Sequence, residues 1–275
     1  MVFRTFTTNG APRRGGSLGI GLLVATVALI SYCSSQEFNA VTGKKQYLAM
    51  SPQQEIALGL ETAPVMAQEY GGISANVQAR AHVSRIGSTI LRNNAADVAG
   101  WRFQFHLLAD PQTINAFALP GGQVFITEGL YRRLKNDAQL AGVLSHEIGH
   151  VVGRHGAAQL AKHQLTQGLT GAVAVASGDA SSGQIAAMAG QLMNLRYGRE
   201  DELESDTIAI RFMARAGYEP RAMLDVLNIL AQAGGSGGPE FFSTHPNPAN
   251  RLARLELVIA QHVDGTSEPT PLTER

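Results

Sequence analysis

Cysteine is almost absent. Cys33 is the only one in 275 residues, so no disulfide can form within the chain and its stability has to come from packing. A surplus of charge is absent too: 22 basic residues balance 22 acidic ones, and no basic run extends beyond Arg13-Arg14, which excludes the electrostatic footprint of a nucleic-acid-binding protein. The apolar run from Leu18 to Ile30 falls short of the ~20 residues that span a bilayer, and no later segment is uninterrupted over that length. No internal repeat is evident.

What is present is His146-Glu147-Ile148-Gly149-His150. On a helix of 3.6 residues per turn, side chains four apart sit about 40° from each other and about 6 Å along the axis, so both imidazoles can hold one zinc ion. Glu147 points about 60° from His150, beside the metal, where it suits the base that activates water. The surroundings favour a helix: Asp137 to Val152 carries no proline, and Asn136 or Asp137 can cap its start. Near the His146 direction on the wheel lie Gln139, Val143, Gly153, Ala157 and Ala161, a face that another element can approach closely.

Zinc peptidases differ in their third ligand. In the spacing HExxHxxGxxH the last histidine would fall on Gly156; His155 is one residue early and, on a continuing helix, about 180° from His146. The other option is a glutamate from a second helix, and Arg199 to Met213 offers several. Glu202 and Asp206 share a face with Ala209, Ile210 and Met213, whereas Glu200, Glu204 and Arg211 fall on the opposite, solvated side. A carboxylate on an apolar face needs a metal or a cation, so Glu202 is the expected ligand and Asp206 the companion that orients a histidine N–H.

Four segments carry a family resemblance: Asn115 to Gly122, His146 to His155, Tyr197 to Asp206, and Thr244 to Arg251. In this order they are similar to metallopeptidase family 48, the HtpX, BepA and LoiP-like group of membrane-associated gluzincin peptidases. The resemblance spans most of residues 50 to 262. It implies a mainly helical α+β, gluzincin-type fold with a small β-sheet beside the active-site helix, one zinc ion, and Glu202 as third ligand. Gly198 and Ser205 depart from the family pattern without removing a ligand.

The leader adds a location. Arg4, Arg13 and Arg14 precede the apolar run, and Ser31-Tyr32-Cys33-Ser34-Ser35 follows it, as in a secretory signal. Cys33 points to a lipidated N-terminus, although bacterial lipoproteins carry a small residue where this chain has Tyr32. An uncleaved anchor and a cleavage nearby stay open. The expected organisation is a leader or anchor at 1–33, a linker at 34–50, a zinc metallopeptidase domain at 51–264 and a disordered tail at 265–275, in the periplasm of a Gram-negative-type bacterium and attached to a membrane.

Ser51-Pro52 with Glu55 reads as a capped helix start and Ala75 to Leu91 as an amphipathic helix. Trp101 to Leu108 alternates like a strand; Asn115 to Thr127 supplies another, broken at Pro120-Gly121-Gly122, before a helix near Glu128 to Leu134. A strand edge there, with Asn115, Pro120 and Gly121, would let an extended substrate pair through its main chain, which favours unfolded segments. Asn115 serves that edge, the substrate or a plain turn, and His106 reads as structural. Gln167 to Gln191 reads as a flexible connection and Gly234 to Gly238 as a hinge.

These residues predict an exported zinc endopeptidase with Glu147 as base and His245 or Arg251 helping the oxyanion. The resemblance implies unfolded or misassembled envelope proteins as substrates and outer-membrane assembly machinery as a partner. For His245 three roles stay open: a gate on the zinc, an oxyanion helper, or a cap on a helix starting at Pro246. The alternative from another class is an assembly chaperone whose zinc site is latent and gated.

Overall fold

The computed structural model describes residues 14–174, 196–233, 239–246 and 250–263. The apolar run forms α1 (Arg14–Ser34), and among the described residues no helix is long and apolar enough to cross a membrane. The segment expected as a linker is folded. Strands β1 (Gln36–Asn39) and β2 (Lys44–Tyr47) pair antiparallel, with Phe38 opposite Lys45. Asn39 explains why: its Oδ1 accepts from Val41 N at 2.9 Å to shape the turn, while its Nδ2 donates to the carbonyl of Val152 at 2.8 Å. Polar pins hold this hairpin together with Val41 against the main core and Tyr47 stacked on Tyr32, but its strands are mostly polar and exposed, so its composition reads as a linker.

Helix α2 (Pro52–Glu69) starts at the Ser51 cap with Pro52 in its first turn, where a missing N–H does no harm. The reciprocal partner in the cap is Gln54, whose Oε1 accepts from Ser51 N at 2.8 Å. Glu55, the expected partner, turns inward and takes a hydrogen bond from Arg154 Nε at 2.7 Å. Helix α3 (Val77–Asn93) is capped by Asn76, two residues later than the sequence suggests, and the short α4 (Ala95–Val98) follows.

Strands β3 (Gln104–Leu108), β4 (Ala116–Leu119) and β5 (Gln123–Thr127) form a sheet in the order β3-β5-β4, parallel for the first pair and antiparallel for the second. Alternation sends their side chains into two cores. Leu107, Ala116, Ala118, Val124 and Ile126 join the main core, while Leu108, Phe117, Leu119 and Phe125 pack with Met66 and Leu160 on the other face. The hairpin turn between β4 and β5 is pressed onto α2. Gly121 has φ +85, and a Cβ there would lie 2.3 Å from Ile56 Cα; Pro120 sits against Gly59 and Gly156. Two of the three residues expected at a substrate edge, Pro120 and Gly121, are therefore buried packing elements.

After α5 (Glu128–Tyr131), helix α6 (Asp137–Val152) carries the HExxH motif, with Asn136 as its cap through a 2.9 Å bond to Gln139 N. Arg154, at φ +56, breaks the helix, and α7 (His155–Ala174) leaves in a new direction. Helices α8 (Arg199–Arg215), α9 (Ala222–Ala233), α10 (Phe241–Thr244) and α11 (Arg251–Val263) complete the described chain. Gly149 lets α8 come close: a Cβ there would lie 2.6 Å from Ser205 Oγ. The expected flexible connection is helical up to Ala174; its remainder, the glycine hinge at 234–238 and the tail at 265–275 lie outside the described residues.

Candidate metal centre

Helical periodicity brings four ligand side chains together. His146 Nε2 and His150 Nε2 are 3.0 Å apart on α6, and Glu202 of α8 faces both, its Oε2 3.5 Å from the first and its Oε1 3.4 Å from the second. His245, just past α10, places Nδ1 3.0 Å from Glu202 Oε1. One donor atom from each of the four lies within 4.8 Å of every other, and all four residues are buried. The set fits a cation. Glu202 Oε2, both oxygens of Glu147 and His245 Nε2 are buried without a hydrogen-bond partner, a situation that is expensive unless an ion or a reactant meets them. Imidazole nitrogens with one carboxylate suit zinc.

Electrostatics set the two glutamates apart. Burial pushes the Glu202 carboxyl up, but His245 and hydrogen bonds from His146 and His150 outweigh it and hold the group well below the usual carboxylate range. At Glu147 burial wins over the opposing pull of His245 and His146, and the carboxyl is raised. One neighbour is an anion that binds; the other is an acid poised to hold a proton.

Behind His146 stands Asp206, with Oδ1 2.9 Å from Nδ1. Asp206 is gripped in turn by Arg251, Nε to Oδ2 at 2.7 Å and Nη2 to Oδ1 at 2.8 Å, and Arg251 Nη1 lies 3.0 Å from Glu202 Oε2. Its guanidinium is fully buried between two carboxylates, so it positions the ligands: Nε and Nη2 are taken by Asp206, while Nη1, beside Glu202, makes no hydrogen bond. Ser205 Oγ donates to the carbonyl of His146 at 2.7 Å, fastening α8 to α6.

Behind His150 stands His155, and here the helical wheel misleads. The break at Arg154 swings His155 back, so that its Nδ1 is 2.9 Å from His150 Nδ1 and its Nε2 is 3.0 Å from Glu204 Oε2. Glu204, expected on the solvated side, is largely covered and pairs with Lys44 Nζ at 2.7 Å. Tyr197, which opens one of the four segments of the family resemblance but suggests no role of its own, stacks on the His150 ring with centroids 3.9 Å apart.

The expected cap on a helix starting at Pro246 falls on residues 247–249, which lie outside the described residues; His245 itself donates its N–H to Phe241 O at 2.8 Å as α10 ends, and its ring stacks on Phe241 at 4.4 Å with Nε2 3.8 Å from Glu147 Oε1. Asn115 precedes β4, the outer strand beside α6, and its Nδ2 donates to Glu240 Oε1 at 2.9 Å. Phe241 N donates to Ile114 O at 3.3 Å, so the segment from Glu240 to His245 lies across the start of β4. His106 binds Gln123 Oε1 at 2.9 Å, a structural role, and Cys33 is exposed on α1.

A family model described as "Peptidase family M48" matches residues 78–259. The mitochondrial metalloendopeptidase OMA1 of Schizosaccharomyces pombe is 28% identical over 93% of this chain and 75% of its own length. The beta-barrel assembly-enhancing protease of Escherichia coli is 38% identical over 55% of this chain but only 33% of its own length, and the OMA1 of Saccharomyces cerevisiae is 31% identical over 57% of this chain and 47% of its own. The chain thus spans a third to three quarters of these relatives. Family match, relatives and ligand geometry agree that the chain belongs to peptidase family M48 and is a metalloendopeptidase.

Proposed function

We propose that this peptidase uses one zinc ion, sits at a membrane of the bacterial envelope and cleaves unfolded or misassembled envelope proteins. The observation that carries the reading is the buried set of His146, His150 and Glu202 with the unpartnered Glu147 carboxylate beside it. Zinc held there would supply a Lewis acid for the peptide carbonyl and acidify a water molecule. Glu147 accepts the proton of the attacking water and returns it to the leaving amine, a task that its raised pKa suits. Asp206 Oδ1, 2.9 Å from Nδ1, faces the back of the His146 ring, and Arg251 holds Asp206 still.

Substrate class follows from the edge strand. A peptide that adds to β4 must be extended, which favours unfolded chains over folded ones, and its end would meet Glu240 and Phe241, bonded to Asn115 and Ile114 just before the strand. The apolar leader and Cys33 support export and anchoring, and the name of the Escherichia coli relative supports a link to beta-barrel assembly. One observation favours the latent form of the site: His245 already stands among the ligands, where a neutral imidazole can fill a metal position. In that reading the resting protein acts first as an assembly chaperone.

Metal analysis with casein cleavage tests the proposal. About one zinc per chain is expected, and Glu147→Gln should retain it while losing cleavage. Absence of bound zinc, or undiminished cleavage by the variant, overturns the reading. Undiminished client assembly by Glu147→Gln would favour the chaperone.

A further inference from the structure

The ion pair between Lys44 and Glu204 ties the N-terminal hairpin to the metal centre, and a zinc ion on His150 Nε2 would leave the bonds along the way one proton arrangement. With Nε2 given to the metal, the proton of His150 sits on Nδ1 and is donated to His155 Nδ1, 2.9 Å away. That choice puts the proton of His155 on Nε2, where it is donated to Glu204 Oε2 at 3.0 Å. Glu204 Oε1 accepts from Lys44 Nζ at 2.7 Å. Each donor in the chain His150, His155, Glu204, Lys44 meets one acceptor.

The hairpin also holds the break that delivers His155. Arg154 keeps a left-handed backbone that non-glycine residues rarely adopt. Its side chain is fastened by Glu37 of β1 at 2.6 Å, by Glu55 at 2.7 Å and by the carbonyl of Met50 at 2.7 Å. Gln46 Nε2 donates to Gly153 O at 2.7 Å and Asn39 Nδ2 to Val152 O at 2.8 Å, so both strands grip the end of α6.

We propose that His155 and Glu204 are positioning residues for the ligand His150, and that the hairpin β1–β2, through Lys44 and its grip on residues 152–154, sets the metal affinity of the centre. The inference rests on the zinc reading above. A hairpin that follows directly on the leader helix makes zinc retention sensitive to how the N-terminus is seated.

Zinc affinity of the full chain, measured by competition with a chromogenic chelator after stripping, tests this without activity. Loss of an outer partner of a metal-bound histidine weakens binding by roughly 10 to 100-fold. His155→Ala should fall in that range, and His155→Asn, which keeps an acceptor near the Nδ1 position, should recover part of it. Lys44→Ala should weaken binding several-fold and Lys44→Arg much less. Wild-type affinity in His155→Ala with unchanged melting overturns the inference. If His155→Ala does not fold, Glu204→Gln and Lys44→Ala decide, and wild-type affinity in both overturns it. A wild-type chain that binds no zinc removes the underlying zinc reading as well, whereas a zinc-binding wild type with indifferent variants sinks this inference alone.

Discussion

His146 and His150 are four residues apart on one helix and are held in opposite ways. Behind His146 everything is internal: Asp206 and Arg251 are both buried, and the bidentate clamp between them keeps a permanent charge next to a permanent anion. Behind His150 the support runs outward through His155 and Glu204 to Lys44, whose side chain is 58% exposed. The first side is built by α8 and α11, inside the region that the family model matches; the second depends on a hairpin at residues 36–47, outside that region. Stability and metal binding are thereby divided, with the inner side setting whether the centre forms and the outer side setting how firmly it holds its ion.

The comparison breaks most severely at Arg251. Arg251→Met leaves Asp206 and Glu202 buried without their cation, and removing one partner of a buried pair costs about 3–5 kcal/mol. Denaturant unfolding of the metal-free chain should show that loss; a change below ~1 kcal/mol would mean that the inner clamp does not govern folding. Next comes Gly149→Ala, which forces a Cβ to within 2.6 Å of Ser205 Oγ and 3.1 Å of its carbonyl oxygen. Overpacking of this kind costs about 1–3 kcal/mol. Adding Ser205→Ala should recover only part, because the backbone of α8 is also in the way, and full recovery would show that the helices can part freely.

Zinc content sharpens the same contrast with less effect on the fold. Glu202→Gln should lose most of the bound metal, Glu204→Gln an intermediate amount and Glu200→Gln none, when all three are dialysed against one chelator concentration. Equal loss in Glu204→Gln and Glu202→Gln would erase the distinction between a ligand and a support.

What could be read from the sequence follows the same division. His146, His150, Glu202 and Asp206 fall together because each pair lies on one uninterrupted helix, where a periodicity of 3.6 is sufficient to place them. The strands were legible from alternation, although burial on both faces of the sheet was not. His155 escaped because Arg154 resets the helical phase in a conformation that its residue type does not announce. Glu204 escaped because the element that covers it comes from the N-terminal hairpin, and Pro120 and Gly121 because their neighbours belong to α2. In each case the missing information is a contact between distant segments.

The mildest test lies where α2 meets the hairpin. Burial raises the Glu55 carboxyl to about 7 against the pull of Arg154, from an ordinary value of 4.5. An acid whose folded pKa lies above its unfolded one binds more protons in the native state across that window. Stability therefore falls as pH rises from about 4.5 to about 7, and the contribution of Glu55 levels off above it. Glu55→Gln keeps an acceptor for Arg154 Nε but removes the titration, so unfolding free energy plotted against pH should slope down less steeply between those values. Zinc affinity at pH 7 should change little, since Glu37 and the Met50 carbonyl still hold Arg154. An unchanged slope would mean that Glu55 is ionised throughout and that Arg154, with a full charge beside it, anchors the outer side as firmly as Arg251 anchors the inner one.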